Sequence, residues 1–246
     1  QVWAADICDP EAVLRCVQAS RPEYVFHLAA VGVSDPFLSL EHALAVNLHG
    51  SLALFQACFG GALPIPPIKL VHAGTPYEYG AGRQAEPAPI NPYAASKAAA
   101  FAVARMLHRT QNWPIVTVRP FQVYGPGQPE QTLIPSAIRA ALAGRPFRMT
   151  GGEQQRDLIF LDDVVRGMLL AAARGHGGRS YDLGWGQSIP LREAISLLFG
   201  LLETPASIEL GALPYRPGEI WDMRADPTPA WADLGWRACI PLREGL

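Results

Sequence analysis

Tyr93 and Lys97 are the residues of this chain whose types and spacing most directly suggest chemistry. They lie in the segment Asn91-Pro92-Tyr93-Ala-Ala-Ser-Lys97. Asn91 is a favourable helix N-cap and Pro92 suits the first helical position, so the segment predicts a helix from Pro92 to about Thr110. Residues four apart share one helix face, where the ammonium of Lys97 would lower the pKa of the Tyr93 phenol from its ordinary value of about 10. Such a phenol is suited to general acid and base catalysis.

The tyrosine and lysine could also be neighbours by coincidence on a solvated helix face. The chain has seven Tyr among 246 residues, and its two Lys are Lys69 and Lys97. About 0.06 such pairs are then expected by chance, which disfavours coincidence. The remaining basic residues are all arginine, so a lysine at position 97 indicates a need for its compact charge.

Composition restricts the class of protein. The chain is 49% hydrophobic and 17% charged, enough apolar residues for a large core. A net charge of −2 offers no electrostatic surface for nucleic acid or an anionic membrane. Apolar stretches end well short of a bilayer span, and the four cysteines (Cys8, Cys16, Cys58 and Cys239) lack the close spacing of a metal site or a disulfide framework. We therefore expect a cytoplasmic protein that binds neither nucleic acid nor membranes and carries no metal.

Short apolar strands alternate with helical stretches, a pattern typical of an α/β fold with a parallel sheet covered by helices. The predicted strands are Val2–Ala4, Tyr24–Leu28, Lys69–Ala73, Ile115–Arg119 and Ser180–Leu183. The predicted helices are Pro10–Ser20, Leu40–Phe59, Pro92–Thr110, Leu133–Ala143 and Asp162–Ala173.

Seven segments, in order and at similar spacing, make the chain resemble the extended short-chain dehydrogenase/reductases, the NAD(P)-dependent nucleotide-sugar epimerase/dehydratase family. The segments are Asp6-Ile7-Cys8-Asp9, His27-Leu28-Ala29-Ala30, Asn47-Leu-His-Gly50, Gly74-Thr75-Pro-Tyr-Glu-Tyr79-Gly80, Tyr93 with Lys97, Arg119-Pro-Phe-Gln-Val-Tyr-Gly-Pro126, and Arg156-Asp157 with Asp162-Asp163. The resemblance implies a doubly wound, Rossmann-type parallel sheet with a small C-terminal substrate-binding lobe. It implies an NAD(P)-binding domain at residues 1–124 and, mainly, a nucleotide-sugar-binding lobe at 125–246, with 156–185 returning to the sheet.

The resemblance also gives the catalytic residues as Thr75, Tyr93 and Lys97. The hydroxyl of Thr75 would bond the reacting sugar oxygen and orient it toward Tyr93. A threonine beside Gly74 and a proline is also suited simply to closing a turn. Sugar dehydratases of this family follow that threonine with Asp-Glu, whereas Pro76-Tyr77 follow here, so a 4,6-dehydratase is disfavoured.

For the cofactor, NAD with NADP not excluded, the resemblance places Asp6 and Ile7 at the adenine. Leu28, Ala29 and Ala30, at the end of the predicted strand Tyr24–Leu28, would lie along the pyrophosphate and ribose. Lys97 would hold the nicotinamide ribose. The complete set of cofactor-binding candidates is Asp6, Ile7, Leu28, Ala29, Ala30, Asn47, Tyr93, Lys97 and Pro120.

For the substrate, a nucleotide sugar, Arg156 and Arg216 are the candidates for the pyrophosphate because guanidinium groups match phosphate oxygens. Gln122 stands where the family usually has Asn, which leaves its sugar contact open. The substrate-binding candidates are Thr75, Gln122, Thr132, Leu133, Arg156 and Arg216.

The glycine-rich strand-turn-helix of this fold is absent from the sequence. In the family it precedes the Asp6-Ile7 loop, so we expect about 50 further N-terminal residues in the natural protein. The missing strands would lie between Val2–Ala4 and Tyr24–Leu28, and without them the sheet would have open edges.

Three functions agree with these residues. The first is an epimerase that transiently oxidises C4 of an NDP-hexose. The second is a 4-ketoreductase of NDP-4-keto-6-deoxyhexoses, which the Gly-Thr-x-x-Glu-Tyr-Gly segment also resembles. The third is a non-catalytic nucleotide-binding member of the fold. The resemblance further implies a homodimer that pairs the Leu40–Phe59 and Pro92–Thr110 helices.

Overall fold

Helices and strands alternate along the chain, as a computed structural model shows for residues 2–33, 35, 38–80, 88–216 and 218–246. Within these residues the α-helices are α1 (Pro10–Ser20), α2 (Leu40–Ala43), α3 (Ser51–Phe59), α4 (Pro92–Gln111), α5 (Leu133–Leu142), α6 (Leu161–Arg174), α7 (Leu191–Leu201) and α8 (Leu242–Gly245). The strands are β1 (Tyr24–His27), β2 (Lys69–Ala73), β3 (Ile115–Pro120), β4 (Gln122–Tyr124), β5 (Phe147–Arg148), β6 (Gln155–Arg156), β7 (Leu158–Phe160), β8 (Ser180–Leu183), β9 (Ile189–Pro190), β10 (Ile208–Glu209) and β11 (Asp222–Met223).

The central sheet is parallel, with strand order β1-β2-β3-β8. Its strands are rich in branched apolar residues, which suit burial on both faces. Leu70 and Ile115 pack in one cluster with residues of α3 and α4. The alternate residues Val71 and Val116 pack in another cluster with α6 and Trp236. The predicted parallel sheet with helices on both faces is therefore confirmed.

The N-terminal part of the prediction is wrong in one element. Val2–Ala4 forms no strand, and Val2 is 95% exposed. A strand needs a neighbouring strand for its backbone hydrogen bonds. Among the described residues, β1 pairs with β2 along one edge and with no strand along the opposite edge, so no neighbour is present there for Val2–Ala4. Tyr24 and Phe26 of β1 are correspondingly exposed.

The stretch predicted as one helix at Leu40–Phe59 is helical throughout, but its middle, Leu44–Gly50, is π-helical. Such segments often mark functional sites. Asn47 lies at the centre of this one and is buried. Sequence periodicity alone does not show this local widening of the helix.

Shorter sheets follow β3. Strand β4 pairs with β7 in parallel, β6 pairs with β9 and β11, and β5 pairs with β10. Helices α5 and α7 pack around Phe147 and Ile195. The chain returns to the central sheet after α6, where β8 pairs with β3. None of the helices within the described ranges has both the length and the apolar character to cross a bilayer.

Candidate active site

Helix α4 presents Tyr93 and Lys97 at the carboxyl end of the central sheet. The side chain of Asn91 caps the helix by accepting a hydrogen bond of 2.8 Å from the Ala94 N–H, as the sequence predicts. Tyr93 is 8% exposed and Lys97 is 2% exposed. Both functional groups are therefore held in a desolvated environment.

Thr75 lies two residues after the end of β2 and is buried. Its side chain and that of Tyr93 line the same cavity, and its hydroxyl is near enough to favour the Tyr93 phenolate. Thr75 also caps the 3-10 turn Pro76–Tyr79, in a capping box with Glu78. The turn-closing role and the proximity to Tyr93 therefore occur together.

The pKa values of the pair differ from the expectation that Lys97 lowers the pKa of Tyr93. Burial raises the pKa of Tyr93 to about 12, although the hydrogen bond from Thr75 opposes this. Burial lowers the pKa of Lys97 to about 8, against the opposing effect of the negative Glu78. The expectation is wrong for this structure because desolvation penalises both charged forms and outweighs the influence of neighbouring charges.

Buried polar residues of the sheet lie on the side of α3. His27, His72 and Thr117 occupy matching positions on β1, β2 and β3. His27 Nε2 is 2.8 Å from the Ser51 hydroxyl, and His72 Nδ1 is 3.5 Å from that of Thr117. Burial, followed by the positive charge of Lys97, lowers the pKa of His27 to about 3, and burial lowers that of His72 well below its ordinary value. Both imidazoles are therefore neutral near pH 7.

A second polar group lies behind Thr75 and was not singled out from the sequence. The carboxylate of Glu78 accepts a hydrogen bond of 2.9 Å from the Thr75 N–H and one of 2.8 Å from Arg119 Nε. Arg119 Nη1 also lies 3.9 Å from Asp182. The signal for this group was a glutamate inside the Gly74–Gly80 segment and an arginine inside an otherwise apolar strand.

A cavity of about 500 Å³ opens beside Thr75 and Tyr93. Its volume is in the range of ligand-binding pockets. Among the described residues that line it, the titratable side chains are all tyrosines: Tyr77, Tyr93 and Tyr124. The cavity brings together six predicted site residues, namely Thr75, Tyr93, Pro120, Gln122, Thr132 and Leu133.

Asn47 joins the loop after β1 to helix α4. Its side chain bonds both the N–H and the carbonyl of Val31, at 2.9 and 3.0 Å, and donates to the Ser96 hydroxyl at 2.9 Å. Ser96 in turn donates to the Tyr93 carbonyl. Asn47 thus links the loop after β1 to the first turn of α4, where Tyr93 lies.

The remaining cofactor candidates lie at the carboxyl side of β1 and near the π-helical segment. Leu28, immediately after β1, is 60% exposed, Ala29 is exposed and Ala30 is half-buried. Ile7 packs so closely on Gly50 that a Cβ there would lie 2.9 Å from it. Asp6 is exposed, and its carboxylate accepts a hydrogen bond from the Cys8 N–H.

The two arginines predicted for the pyrophosphate are placed differently. Arg156 is buried, donates to Glu219 and to the Ile220 carbonyl at 2.6 Å each, and lines a second, smaller cavity of about 180 Å³. Arg216 is exposed, three residues before Glu219. The structure brings the two chain segments together but commits the Arg156 guanidinium to Glu219. Among the described residues, no cluster of three or more His, Cys, Asp or Glu side chains could hold a metal ion.

Comparison with known proteins identifies the family. The sequence profile of the NAD dependent epimerase/dehydratase family matches residues 1–184, so the chain belongs to this family. The dTDP-glucose 4,6-dehydratase of Xanthomonas campestris pv. campestris is 29% identical over 98% of this chain and 75% of its own length.

Solved structures agree. A UDP-glucose 4-epimerase of Thermotoga maritima with UDP-glucose has a TM-score of 0.88 and 27% identity, over 99% of this chain and 81% of its own. RMD from Pseudomonas aeruginosa, complexed with NADPH, has a TM-score of 0.87 and 26% identity, over 99% of this chain and 84% of its own. The family resemblance, the Rossmann-like fold and the nicotinamide dinucleotide cofactor are therefore confirmed.

The residues present fit such a cofactor. The exposed apolar side chain of Leu28 and the small Ala29 follow the carboxyl end of a parallel strand, where open α/β sheets bind ligands. A flat apolar ring would cover Leu28 without displacing a polar partner. Lys97 and Tyr93 lie on the helix that packs beside this strand end through Asn47.

Proposed function

We propose that the protein is an NAD(P)-dependent epimerase that acts by transient oxidation at C4 of an NDP-hexose. The observation that carries this proposal is that Thr75 and Tyr93 line one cavity, whose titratable side chains among the described residues are tyrosines. A hydroxyl and a phenol side by side are suited to bind one sugar oxygen and move its proton. When bound, the nicotinamide supplies the acceptor and donor of the hydride.

The chain's own residues then have distinct tasks. Asp6, Ile7, Leu28, Ala29, Ala30, Asn47, Lys97 and Pro120 would hold the dinucleotide. Thr75 would bond the C4 oxygen of the sugar. Tyr93, as its phenolate, would take the hydroxyl proton during oxidation, and the neutral phenol so formed would return that proton during reduction. Phe121, Val123 and Leu133 give the cavity apolar surface beside the polar side chains of Gln122, Gln128 and Thr132. Where a sugar face rests on the apolar surface no hydrogen bond fixes it, which would allow the keto sugar to turn before reduction, as inversion requires.

Dehydration is disfavoured by the same cavity. Elimination of water needs an acid and a base at the carbons that react. Thr75 is followed by Pro76 and Tyr77, and the nearest carboxylate in the turn, Glu78, is bonded to Arg119 and to the Thr75 backbone. Among the described residues that line the cavity there is therefore no carboxyl group for elimination, which argues against the reaction of the similar dTDP-glucose 4,6-dehydratase.

A 4-ketoreductase of NDP-4-keto-6-deoxyhexoses is the second candidate. It is favoured by the pKa of Tyr93, which burial raises to about 12. A phenol with that pKa is protonated near neutral pH and suits a proton donor to a carbonyl oxygen, the direction of a reductase. The likeness to RMD, which was solved with NADPH, agrees with this candidate.

Incubation with UDP-galactose and with an NDP-4-keto-6-deoxyhexose separates the two candidates. An epimerase converts UDP-galactose without a net absorbance change at 340 nm, and nuclear magnetic resonance detects the inverted sugar. A reductase consumes NADPH in proportion to the keto sugar. No turnover of either, with a dinucleotide bound, would support a non-catalytic member and contradict the proposal.

The assembly and location form part of the proposal. Leu40 and Met106, on the two helices expected to pair in a homodimer, are 46% and 47% exposed, which supports an apolar contact there. The described cysteines are free thiols, as is usual in a reducing cytoplasm.

Residues 125–246 would mainly supply the nucleotide-sugar lobe. Displacement of Glu219 there would let Arg156 and Arg216 bind the diphosphate.

A further inference from the structure

Glu78 connects the catalytic hydroxyl to the interior of the protein. One carboxylate oxygen accepts the Thr75 N–H at 2.9 Å, and the other accepts Arg119 Nε at 2.8 Å. Glu78 is 1% exposed and Arg119 is 3% exposed. Both oxygens are therefore engaged, and the carboxylate is absent from the described residues that line the cavity.

Arg119 is itself fixed from three sides. Its guanidinium carbon lies 4.3 Å from the centre of the Phe101 ring, on the helix face that carries Tyr93 and Lys97. Its Nη1 donates to the Tyr79 hydroxyl at 3.2 Å, and that hydroxyl donates to Asp182 at 3.0 Å. The catalytic turn, the catalytic helix and strand β8 thus meet at one guanidinium group.

The backbone next to Thr75 is adapted to this carboxylate. Gly74 is buried, and a Cβ built on it would lie 2.8 Å from Glu78 Oε1 and 3.0 Å from the Thr117 methyl group. A side chain at position 74 would therefore displace the carboxylate. The close approach ties the end of β2 directly to Glu78.

A buried ion pair alone is weak evidence of a contribution to stability, because desolvation offsets much of the attraction. The position of the Glu78–Arg119 pair beside Thr75 matters more than its contribution to stability. Glu78 closes the capping box of which Thr75 is the N-cap, so the rotation of the Thr75 backbone and the direction of its hydroxyl depend on the carboxylate. Tyr93, the partner of that hydroxyl, is on the helix that Arg119 contacts through Phe101.

We propose that Glu78 is a positioning residue that, held by Arg119, sets the Thr75 hydroxyl against Tyr93 and the reacting sugar oxygen. The inference rests on the proposed function. Glu78 touches neither sugar nor cofactor in this account, so its removal should lower kcat and leave the binding of the nucleotide sugar nearly unchanged.

A double-mutant cycle tests this. Glu78→Gln keeps an oxygen for the Thr75 N–H but weakens the bond to Arg119, and Thr75→Val removes the hydroxyl while keeping the branched shape. We expect Glu78→Gln to lower kcat about 10-fold with KM within about twofold, and to have no further effect on kcat when Thr75→Val is already present. Glu209→Gln, which alters the exposed pair with Arg148, is the matched control and should leave kcat unchanged.

Equal loss of kcat with and without Thr75→Val would overturn the proposal, as would a rise in KM with kcat unchanged. If Glu78→Gln does not fold, Arg119→Lys replaces it, with the same expected dependence on Thr75. A crystal structure of the variant is a readout independent of turnover: the Thr75 hydroxyl should move away from Tyr93, and an unmoved hydroxyl would overturn the inference. Failure of the proposed function appears separately, as absence of turnover in the unmodified protein.

Discussion

Lys97 carries a charge that the fold buries, and its replacement by Met measures how much that charge destabilises the folded protein. The amine is 2% exposed, and burial lowers its pKa from 10.5 to about 8. At about 1.36 kcal/mol per pKa unit, this difference corresponds to about 3 kcal/mol of folding free energy.

The sign follows from which state binds more protons. Between pH 8 and 10.5 the unfolded chain keeps the proton on Lys97 while the folded protein has released it, so the free energy of unfolding rises with pH in this window. Below pH 8 the amine is protonated in both states and the whole penalty is present. Met has a similar length and no charge, so Lys97→Met removes the penalty.

We expect Lys97→Met to be up to about 3 kcal/mol more stable than the unmodified protein at pH 7. The difference should shrink between pH 8 and 10.5, leaving only the difference in packing. Urea unfolding, followed by tryptophan fluorescence at several pH values, gives these free energies. Turnover should be lost at the same time, a trade of activity for stability.

Arg105→Met is the matched control, since Arg105 is an exposed cation on the same helix. Its effect should stay within about 0.5 kcal/mol and should not depend on pH in this window. A Lys97→Met protein that is less stable at pH 7, or a difference that stays constant from pH 7 to 10.5, would refute the reasoning that burial of the charge sets the pKa.

Three further predictions follow from the site. Tyr93→Phe should lower kcat by about 10² to 10⁴-fold in steady-state assays, because it removes the proton carrier, and an unchanged kcat would contradict the role of the phenol. Asn47→Leu should lower the free energy of unfolding by about 3 kcal/mol in urea titrations, because it leaves the N–H and the carbonyl of the half-buried Val31 without their side-chain partner and removes the donor to the Ser96 hydroxyl; a change below 1 kcal/mol would contradict this. Glu219→Gln should tighten the binding of UDP about threefold to 10-fold in calorimetry, because it releases Arg156 for phosphate, and weaker binding would show that the ion pair itself shapes the site.

Local sequence signals predicted most of the sheet and helix α4. Lys69–Ala73 and Ser180–Leu183 are strands with the predicted bounds, because each combines apolar residues with a glycine directly after the strand. The N-cap at Asn91 fixed the start of α4 in the same way. The predicted strand Val2–Ala4 was wrong because an apolar segment becomes a strand only when a neighbouring strand supplies hydrogen bonds. The sequence around residues 2–4 does not show whether such a neighbour is present.

The polar network behind the site could not be predicted from local patterns. Glu78 and Arg119 are 41 residues apart in sequence, and although an arginine in an apolar strand is unusual, its partner is defined only when β2 and β3 pair. The prediction that Lys97 lowers the pKa of Tyr93 was wrong for a related reason. Helical spacing shows that Lys97 shares its face, but the extent of burial, which dominates both pKa values, is a property of the whole fold.

The same burial explains why the site needs several separate supports. A phenol and an amine taken out of water lose their hydration, and free rotation would let them turn back toward solvent. Asn47 holds the catalytic helix to the loop after β1, while Arg119 holds it, through Phe101, to the turn that carries Thr75. Because the loop bound by Asn47 follows β1 and Arg119 lies on β3 of the same parallel sheet, the relative positions of the two contacts are set largely by strand pairing. The cavity walls, which come mostly from later segments, can therefore vary with the sugar while the reacting groups stay in place.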